Sequence, residues 1–272
     1  MADGNLRRRL LDFELQLDAA CCDEVVEHEW GRAYLSPSLP LVWDASFLTI
    51  EKPGMGLEEV LALGDQVLGG AGFAHRTIVP CDEADGRRLL AEAEALPGWE
   101  KERGVYMVWE RDSGREPRAE VAERRLDEIE PLRRRLVGEF LPEDPPLGEA
   151  EREATVEQLL ALDRRYDAVT SDRWFVAPPR TPASACRLFS RGGTIGQVEE
   201  VATVPEARNA GLAQAVVLTA LAASRAAGHE VTFLAADADD WPRQLYAKLG
   251  FVAVGEVQVL RLHPHASAPG PA

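Results

Sequence analysis

Residues 197–213 read QVEEVATVPEARNAGLA, and the predicted fold of the chain is built outward from them. Residues 197–204 are rich in β-branched side chains and predict a strand, which Pro205 ends because proline cannot continue a sheet ladder. Residues 212–224 carry no charged side chain and are rich in alanine and leucine. They predict a helix that is covered on more than one side. The stretch therefore predicts a strand, a tight loop and a buried helix, in that order.

The loop is a candidate anion site. The first N–H groups of a helix have no partner inside it and lie at the positive end of the helix dipole. Gly211 has no Cβ, so a bulky anion can approach these amides, and a diphosphate suits the geometry best. The alternative is an ordinary turn in which Gly211 only permits the bend. The candidate diphosphate-binding residues are Arg208, Asn209, Ala210, Gly211, Leu212, Ala213 and Gln214.

The sequence after the loop carries a family resemblance. Residues 231–235 predict a short buried strand, and residues 241–249 predict a second helix that Gly250 ends. The segment RNAGLA at residues 208–213 resembles the diphosphate loop of the GNAT superfamily of acyltransferases. The segment LYAKLGF at residues 245–251 resembles that family's Leu-Tyr-x-x-x-Gly-Phe motif. The resemblance covers about residues 119–262 and is strongest after residue 197.

The resemblance implies an α/β fold with a twisted mixed sheet flanked by helices, and acetyl-CoA as the co-substrate. In this family the backbone of the central strand, here Val201, Ala202 and Thr203, pairs with the pantetheine arm and supplies the candidate oxyanion donors. Many members carry an asparagine where this chain has Asp239. The resemblance therefore does not decide whether Asp239 contacts the cofactor.

Acyl transfer from a thioester to an amine needs a base for the amine and a proton for the departing thiolate. Tyr246 lies in the matching motif, and a phenol can protonate a thiolate whose thiol has a pKa of about 8.5. The alternative is that its ring only packs against the sheet.

The base is less directly predicted. If the strand alternates regularly, residues 197, 199, 201 and 203 share one face. By resemblance the base lies on the face of Val201 and Thr203, which selects Glu199. Glu200 on the opposite face and an ordered water are the alternatives, and both glutamates also fit the solvated start of a strand.

The first half of the chain repeats the second in a weaker form. Gly56-Leu57 aligns with Gly211-Leu212, and Gly98-Trp99 aligns with Gly250-Phe251, at a slowly drifting offset of about 150 residues. The alternative is a chance match between short apolar segments. The repeat predicts two tandem GNAT-like domains: a degenerate one at residues 1–112, a linker at 113–118, and a catalytic one at 119–263.

Two residues make the first copy degenerate. Pro53 replaces the loop arginine, and Glu94 stands where the second copy has Tyr246. Residues 264–272 have no apolar pattern and are expected to be a disordered tail. Further helices are predicted at residues 6–26, 57–68, 121–141 with a break at Pro131, and 147–166, and further strands at 41–50, 106–109, 173–176, 185–190 and 257–260.

Composition limits the class of protein. The chain has 272 residues, of which 46% are apolar, and a formal charge of −16. This charge repels nucleic acid and anionic membranes, and it favours either a cationic acceptor or only solubility. No apolar run approaches a membrane span and no secretory signal is recognisable, so a cytoplasmic location is expected.

A metal is not expected. The four cysteines and five histidines have no metal-ligand spacing. Asp237, Asp239 and Asp240 precede a helix, where acids more often cap the first turn.

The sequence thus predicts an acetyl-CoA-dependent N-acetyltransferase that acts on a primary amine of unknown identity. Its acceptor is a small molecule or a protein amino group, and its oligomeric state is open. The rival prediction is a non-catalytic acyl-CoA sensor or scaffold, which has no need of Tyr246 or Glu199.

Overall fold

The computed structural model describes residues 2–141 and 147–263. The chain forms two compact units, each discontinuous in sequence. The first comprises Met1–Val105, Asp237–Asp239 and Val254–Ala272, and the second comprises Tyr106–Ala236 and Asp240–Ala253. Two strands, β5 (Trp99–Trp109) and β11 (Phe251–Leu262), contribute residues to both units. The predicted disordered tail lies outside the described residues.

The first unit is a mixed sheet in the order β1-β2-β3-β4-β11. Neighbouring strands are antiparallel except β3 and β4, which are parallel. A core around Leu48, Val60, Ile78 and Leu89 packs α2 and α3 on the sheet. The other elements of this unit are α1 (Ala2–Cys21), β1 (Glu24–His28), β2 (Gly31–Leu35), β3 (Phe47–Ile50), α2 (Leu57–Gly64), β4 (Arg76–Pro80) and α3 (Glu83–Glu92).

The second unit is a mixed sheet in the order β5-β10-β9-β8-β7-β6. Strands β6 to β9 are antiparallel neighbours, and β9 and β10 are parallel. Its elements besides β5 and β11 are β6 (Ala122–Arg124), α4 (Leu126–Glu139), α5 (Glu149–Val169), β7 (Arg173–Ala177), β8 (Ser184–Ser190), β9 (Ile195–Thr203), α6 (Leu212–Ala226), β10 (Val231–Asp237) and α7 (Pro242–Lys248).

Helices cover both faces of the second sheet. On one face, Leu126 and Ile129 of α4 pack on Trp174 and Ala185 of the strands. On the other face α6 lies so close to β9 that a Cβ at Gly196 would be 2.8 Å from the Ser224 hydroxyl. The predicted α/β class, with mixed sheets flanked by helices, is confirmed.

Several of the predicted elements are wrong in detail. The predicted helix at residues 121–141 begins only at Leu126, since residues 122–124 form β6, and the predicted strand at residues 41–50 is shortened to β3 by a short 3-10 helix, Trp43–Ala45. The N-terminal helix ends at Cys21, and residues 24–26 belong to β1, where Val25 and Val26 favour a strand. Pro131 lies inside α4 without breaking it, because buried apolar residues on both sides of it hold the helix to the sheet. The predicted helix at residues 57–68 changes after Gly64 into a π-helical turn, Asp65–Gly69.

The predicted domain limits at residues 112 and 119 stay a prediction. The compact units differ from them in three respects: Asp237–Asp239 and Val254–Ala272 cluster with the first unit, where Leu260 pairs with Ile78 of β4, and residues 106–112 cluster with the second unit. Among the residues that the structure describes, no helix is both long enough and apolar enough to cross a membrane.

Candidate active site

Strand β9 is interrupted by a bulge at Glu200. Glu199 pairs with Arg187 and Ala202 pairs with Ala185, so two residues of β9 stand opposite one of β8. Glu200 has a φ of 56°, a left-handed conformation that costs a residue with a Cβ roughly 1–2 kcal/mol. Residues directly opposite each other in an antiparallel pair share a face of the sheet. Arg187 and Ala185 are two residues apart on β8 and also share a face, so their partners Glu199 and Ala202 lie on the same face.

The bulge overturns the predicted alternation along this strand. Thr203 pairs with Ser184 and therefore lies on the face opposite to Glu199. The argument that selected Glu199 because it shares a face with Val201 and Thr203 is wrong, since one extra residue reverses the order of the faces beyond it. Whether Glu199 is suited to act as a base must be decided from its surroundings.

Glu199 lies where β9 and β10 separate. The two strands pair only from Val231 with Ile195 to Phe233 with Gln197, although both continue beyond this point. The Glu199 carboxylate accepts a hydrogen bond from the backbone N–H of Ala235 on β10. A carboxylate thus occupies the opening between two parallel strands whose ladder has ended.

The surroundings of Glu199 suit a general base. Burial raises the pKa of its carboxyl to about 7, and repulsion from Glu200 adds to this effect. The amide of Gln197, which donates to Glu199 at 2.8 Å, lowers the same pKa and offsets part of the shift. A base with a pKa near the working pH is the most effective one.

Glu200, the alternative base, is held by an ion pair. Its Oε2 lies 2.7 Å from Nη1 of Arg133, whose side chain is 3% exposed. Arg133 in turn lies 2.7 Å from Asp163, which also binds Arg187 at 2.7 Å. Sequence reasoning missed this buried ion network, because its members are far apart in the chain and none belongs to a motif.

Tyr246 lies on α7 and is 7% exposed. Its ring packs edge-on against Phe251, with 5.9 Å between the ring centroids. Burial raises the pKa of the phenol, and the nearby Glu199 and Cys186 raise it further. Tyr246 therefore keeps its proton at neutral pH, and it lies close enough to Glu199 for the two groups to interact electrostatically.

The predicted diphosphate loop has the conformation of an open helix start. Gly211 is the N-cap of α6 with a φ of 79°, and no side chain caps the helix there. Asn209 also has a positive φ, 64°. Arg208 is exposed and its Nε donates to the Thr203 carbonyl at 3.3 Å. The helix start is thus uncapped, with a cation beside it.

A second arginine, Arg118, also lies at this loop. A Cβ at Gly211 would meet Cδ of Arg118 at 3.1 Å, so the arginine side chain lies directly against the glycine. The sequence places Arg118 at the end of a polar linker, and nothing in the linker points to the loop. Two exposed cations, Arg118 and Arg208, therefore accompany the amides of the helix start.

The three backbone positions proposed as oxyanion donors are not equivalent. Val204 donates its N–H to Ala183 at 2.9 Å, and hydrogen-bonded pairs recur every second residue in an antiparallel ladder. The N–H of Ala202 is therefore directed at β8, whereas that of Thr203 is directed at the side of β10. Of Ala202 and Thr203, only Thr203 has an N–H aimed at the opening between β9 and β10.

Asp239 belongs to the first unit and makes an ion pair there. Its Oδ1 lies 2.6 Å from Nη2 of Arg103, and its N–H donates to the Asp237 carboxylate at 2.7 Å. Over residues 2–141 and 147–263, no three His, Cys, Asp or Glu side chains are grouped as metal ligands.

The corresponding loop of the first unit is closed by its own side chains. Asp85 accepts a hydrogen bond from the N–H of Gly54 at 2.7 Å. This bond, together with a second one from the Arg88 side chain, lowers the pKa of the Asp85 carboxyl. Arg88 donates to the carbonyl of Met55 at 2.8 Å. A carboxylate thus occupies a loop amide that an anionic ligand would need.

Comparison with known proteins gives the same fold. Residues 182–260 match the family model of FR47-like proteins. No curated protein matches the chain significantly. Among solved structures, a conserved protein of unknown function from Staphylococcus epidermidis ATCC 12228 is 15% identical, with a TM-score of 0.67, and the match covers 89% of this chain and 94% of that one.

Two further structures are described as acetyltransferases or GNAT proteins. A GCN5-related N-acetyltransferase from Kribbella flavida is 15% identical, with a TM-score of 0.59, and the match covers 93% of this chain and 94% of that one. A tandem GNAT protein from the clavulanic acid biosynthesis pathway is 14% identical, with a TM-score of 0.53, over 89% of this chain and 79% of that one. These likenesses show the fold.

Proposed function

We propose that this chain, which has the tandem GNAT fold, is an acetyl-CoA-dependent N-acetyltransferase that acts on a primary amine through its second unit. The observation that carries the proposal is the placement of Glu199. Its carboxyl lies in the opening between β9 and β10, bound to the Ala235 amide, with a pKa of about 7 and Tyr246 within electrostatic reach.

The residues of the second unit fit the co-substrate. The uncapped start of α6 offers backbone amides and a positive dipole end, and Arg208 and Arg118 add charge, which together suit a diphosphate. The opening between β9 and β10 exposes the ladder edge of β9, where an amide-bearing chain can pair. When bound, acetyl-CoA supplies an acyl group activated as a thioester.

In this proposal, one residue of the second unit assists each step of the acetyl transfer. Glu199 removes a proton from the acceptor amine, since its carboxylate form predominates just above neutral pH. The N–H of Thr203 stabilises the negative charge that develops on the carbonyl oxygen. The amine nitrogen bonds to the carbonyl carbon, and Tyr246 gives its phenolic proton to the thiolate as the carbon–sulfur bond breaks. Tyr246 then regains a proton from solvent, and Glu199 releases the one that it took from the amine.

The acceptor is an amine of a small molecule or of a protein. Because the chain carries a formal charge of −16, attraction favours acceptors that are cationic in solution. We place the enzyme in the cytoplasm, where acetyl-CoA is available to it.

The test is the release of free CoA thiol from acetyl-CoA in the presence of a panel of primary amines. We expect at least one amine to support turnover, and kcat/KM to rise with pH through about 7 as Glu199 loses its proton. In Glu199→Gln this rise should disappear together with most of the activity, about 10²- to 10⁴-fold. Tight CoA binding without thiol release for any amine would favour the non-catalytic sensor instead.

A further inference from the structure

Gln197 is the residue of β9 at which the pairing with β10 ends. It stands opposite Phe189 on β8 and beside Phe233 on β10, and Phe233 is the last residue of β10 that pairs with β9. Gln197 is also buried, with 4% of its surface exposed. A buried residue that is paired on both sides has little freedom to move. Its side chain is therefore a fixed point at the place where the two strands separate.

The side chain of Gln197 reaches the carboxylate of Glu199, two residues further along the strand. Residues i and i+2 of a strand lie on one face of the sheet, and Glu199 keeps this register because it pairs with Arg187 before the bulge. Gln197 Nε2 donates to Glu199 Oε1 at 2.8 Å. Glu199 itself keeps some exposure to solvent. An accessible carboxylate is thus tied to a buried amide of its own strand.

Glu199 accepts hydrogen bonds of two kinds. The backbone N–H groups of Glu200 and Ala235 donate to its carboxylate, and so does the side-chain amide of Gln197. The backbone donors follow from the course of β9 and β10, whereas the amide can be exchanged without changing either strand. A neutral donor stabilises a carboxylate less than a cation does. Glu199 can therefore be oriented by Gln197 and still take up a proton.

The cations near Glu199 are bound to other carboxylates. Arg187 lies directly opposite Glu199 on β8, but all three of its guanidinium nitrogens are bound to aspartates. Arg133 is bound to an aspartate and to Glu200. The titratable groups on the strands and helices around Glu199 are Glu200 of β9, Cys186 and Arg187 of β8, Arg133 of α4, Asp163 of α5 and Tyr246 of α7, and β10 presents the Ala235 N–H.

We propose that Gln197 is a positioning residue for the general base: its side-chain amide, fixed where β9 and β10 separate, orients the Glu199 carboxylate in the opening between these strands. The role of Glu199 as a base rests on the proposed function. The hydrogen bond and its effect on the protonation of Glu199 do not, since they concern only β9. One test therefore uses turnover and a second one does not.

The first test is the pH dependence of kcat/KM in Gln197→Met, which keeps a similar side-chain length and removes the donor. Donation to a carboxylate favours its ionised form, so the pKa of Glu199 should rise when the donor is lost. With the same amine as acceptor, the rise in kcat/KM should move from about 7 to a pH about one unit higher. A residue that only packs would lower kcat/KM at every pH and leave this midpoint in place, and that result would overturn the proposal.

A second substitution keeps the shape of the side chain. Gln197→Glu puts a carboxylate beside Glu199, and two neighbouring carboxylates resist ionising together. The midpoint should therefore move further upward than in Gln197→Met. An unchanged or lower midpoint in Gln197→Glu would contradict the proposal, also if Gln197→Met does not fold.

The matched control lies in the first unit. Gln258 is buried and donates at 3.2 Å to Glu256, a glutamate two residues away on β11. Gln258→Met removes a comparable hydrogen bond and should leave the midpoint of kcat/KM unchanged. If it moved the midpoint as far as Gln197→Met does, the effect would not come from the Glu199 contact.

The second test follows the Glu199 carboxyl directly by carbon-13 NMR of glutamate-labelled protein. Its signal is identified by its absence in Glu199→Gln. We expect a midpoint of about 7 in the wild type and one about one pH unit higher in Gln197→Met. Equal midpoints in the two folded proteins would refute the role of Gln197 even if the enzyme is active. Should no amine support turnover, the proposed function fails, and this titration alone still decides whether Gln197 acts on Glu199.

Discussion

Two parallel strand pairs, β3 with β4 and β9 with β10, end differently. In the first unit β3 and β4 pair from Leu48 with Ile78 to the last residues of both strands, and the Cys81 N–H then bonds to the Ile50 carbonyl. In the second unit the ladder of β9 and β10 stops after Gln197 and both strands run on. A bulge accompanies the separation only in the second unit, so the opening is a departure from a pairing that the first unit completes.

The two glycine loops differ in the same way. Gly56 aligns with Gly211 in the sequence, but Gly56 has a φ of −73° and Gly211 a φ of 79°. Neither helix start has a side-chain cap, but in the first loop the carboxylate of Asp85 accepts a hydrogen bond from the Gly54 N–H. An aligned glycine therefore preserves the bend without preserving an anion site.

Truncation should have the largest effect. Removing residues 1–112 takes β5, a neighbour of β10 in the second unit, and also takes β4, the partner of Leu260–Leu262. We expect the remaining fragment to lose cooperative unfolding and CoA binding, measured by circular dichroism and calorimetry. Removing only residues 1–98 keeps β5 and should retain more of both. A fragment of residues 113–272 that binds CoA as tightly as the full chain would contradict this expectation.

Loss of the phenol should come next. In Tyr246→Phe we expect kcat to fall about 10²- to 10⁴-fold while the Kd of CoA stays within about twofold, because the phenol acts only when the thiolate leaves. Stopped-flow measurement of the chemical step, together with calorimetry, checks both parts. The control is Tyr34→Phe in the first unit, which removes a phenol far from the proposed chemistry in sequence and should leave kcat unchanged. If both variants keep the wild-type chemical step, Tyr246 has only a packing role.

The two glycines allow a matched test of the loops. Gly211→Glu puts a side chain at a position with a φ of 79° and a negative charge where the diphosphate is proposed to bind, so the Kd of CoA should rise at least about 10-fold. Gly56→Glu has open space around its Cβ and should leave the Kd unchanged. Equal effects of the two substitutions on CoA affinity would mean that the loops are equivalent after all.

The smallest effect is expected from opening the first loop. Asp85→Ala frees the Gly54 N–H, but β3 and β4 remain paired to their ends and Pro53 supplies no charge. We therefore expect calorimetric titration to give one CoA per chain for both the wild type and the variant. A stoichiometry near two in the wild type would show that the first unit is a working site.

The local features of this protein follow from its amino-acid sequence alone. The strand, loop and helix around Gly211 were predictable because β-branched residues, proline and glycine act through their own backbone conformations. The glycine–aromatic repeat was visible for the same reason: Gly98 and Gly250 both have positive φ directly before a strand.

The features that depend on distant residues arise from packing between elements. Glu200, which lies in the bulge, is bound by Arg133, which is 67 residues away in sequence, and the alternation of side chains along one strand cannot predict such a contact. The carboxylate on the Gly54 amide comes from a helix 31 residues further on. The periodicity of apolar residues in the sequence shows which residues share a face of one element. Contacts between elements form only when the elements pack. The position of Glu199 could therefore be obtained only from the folded structure.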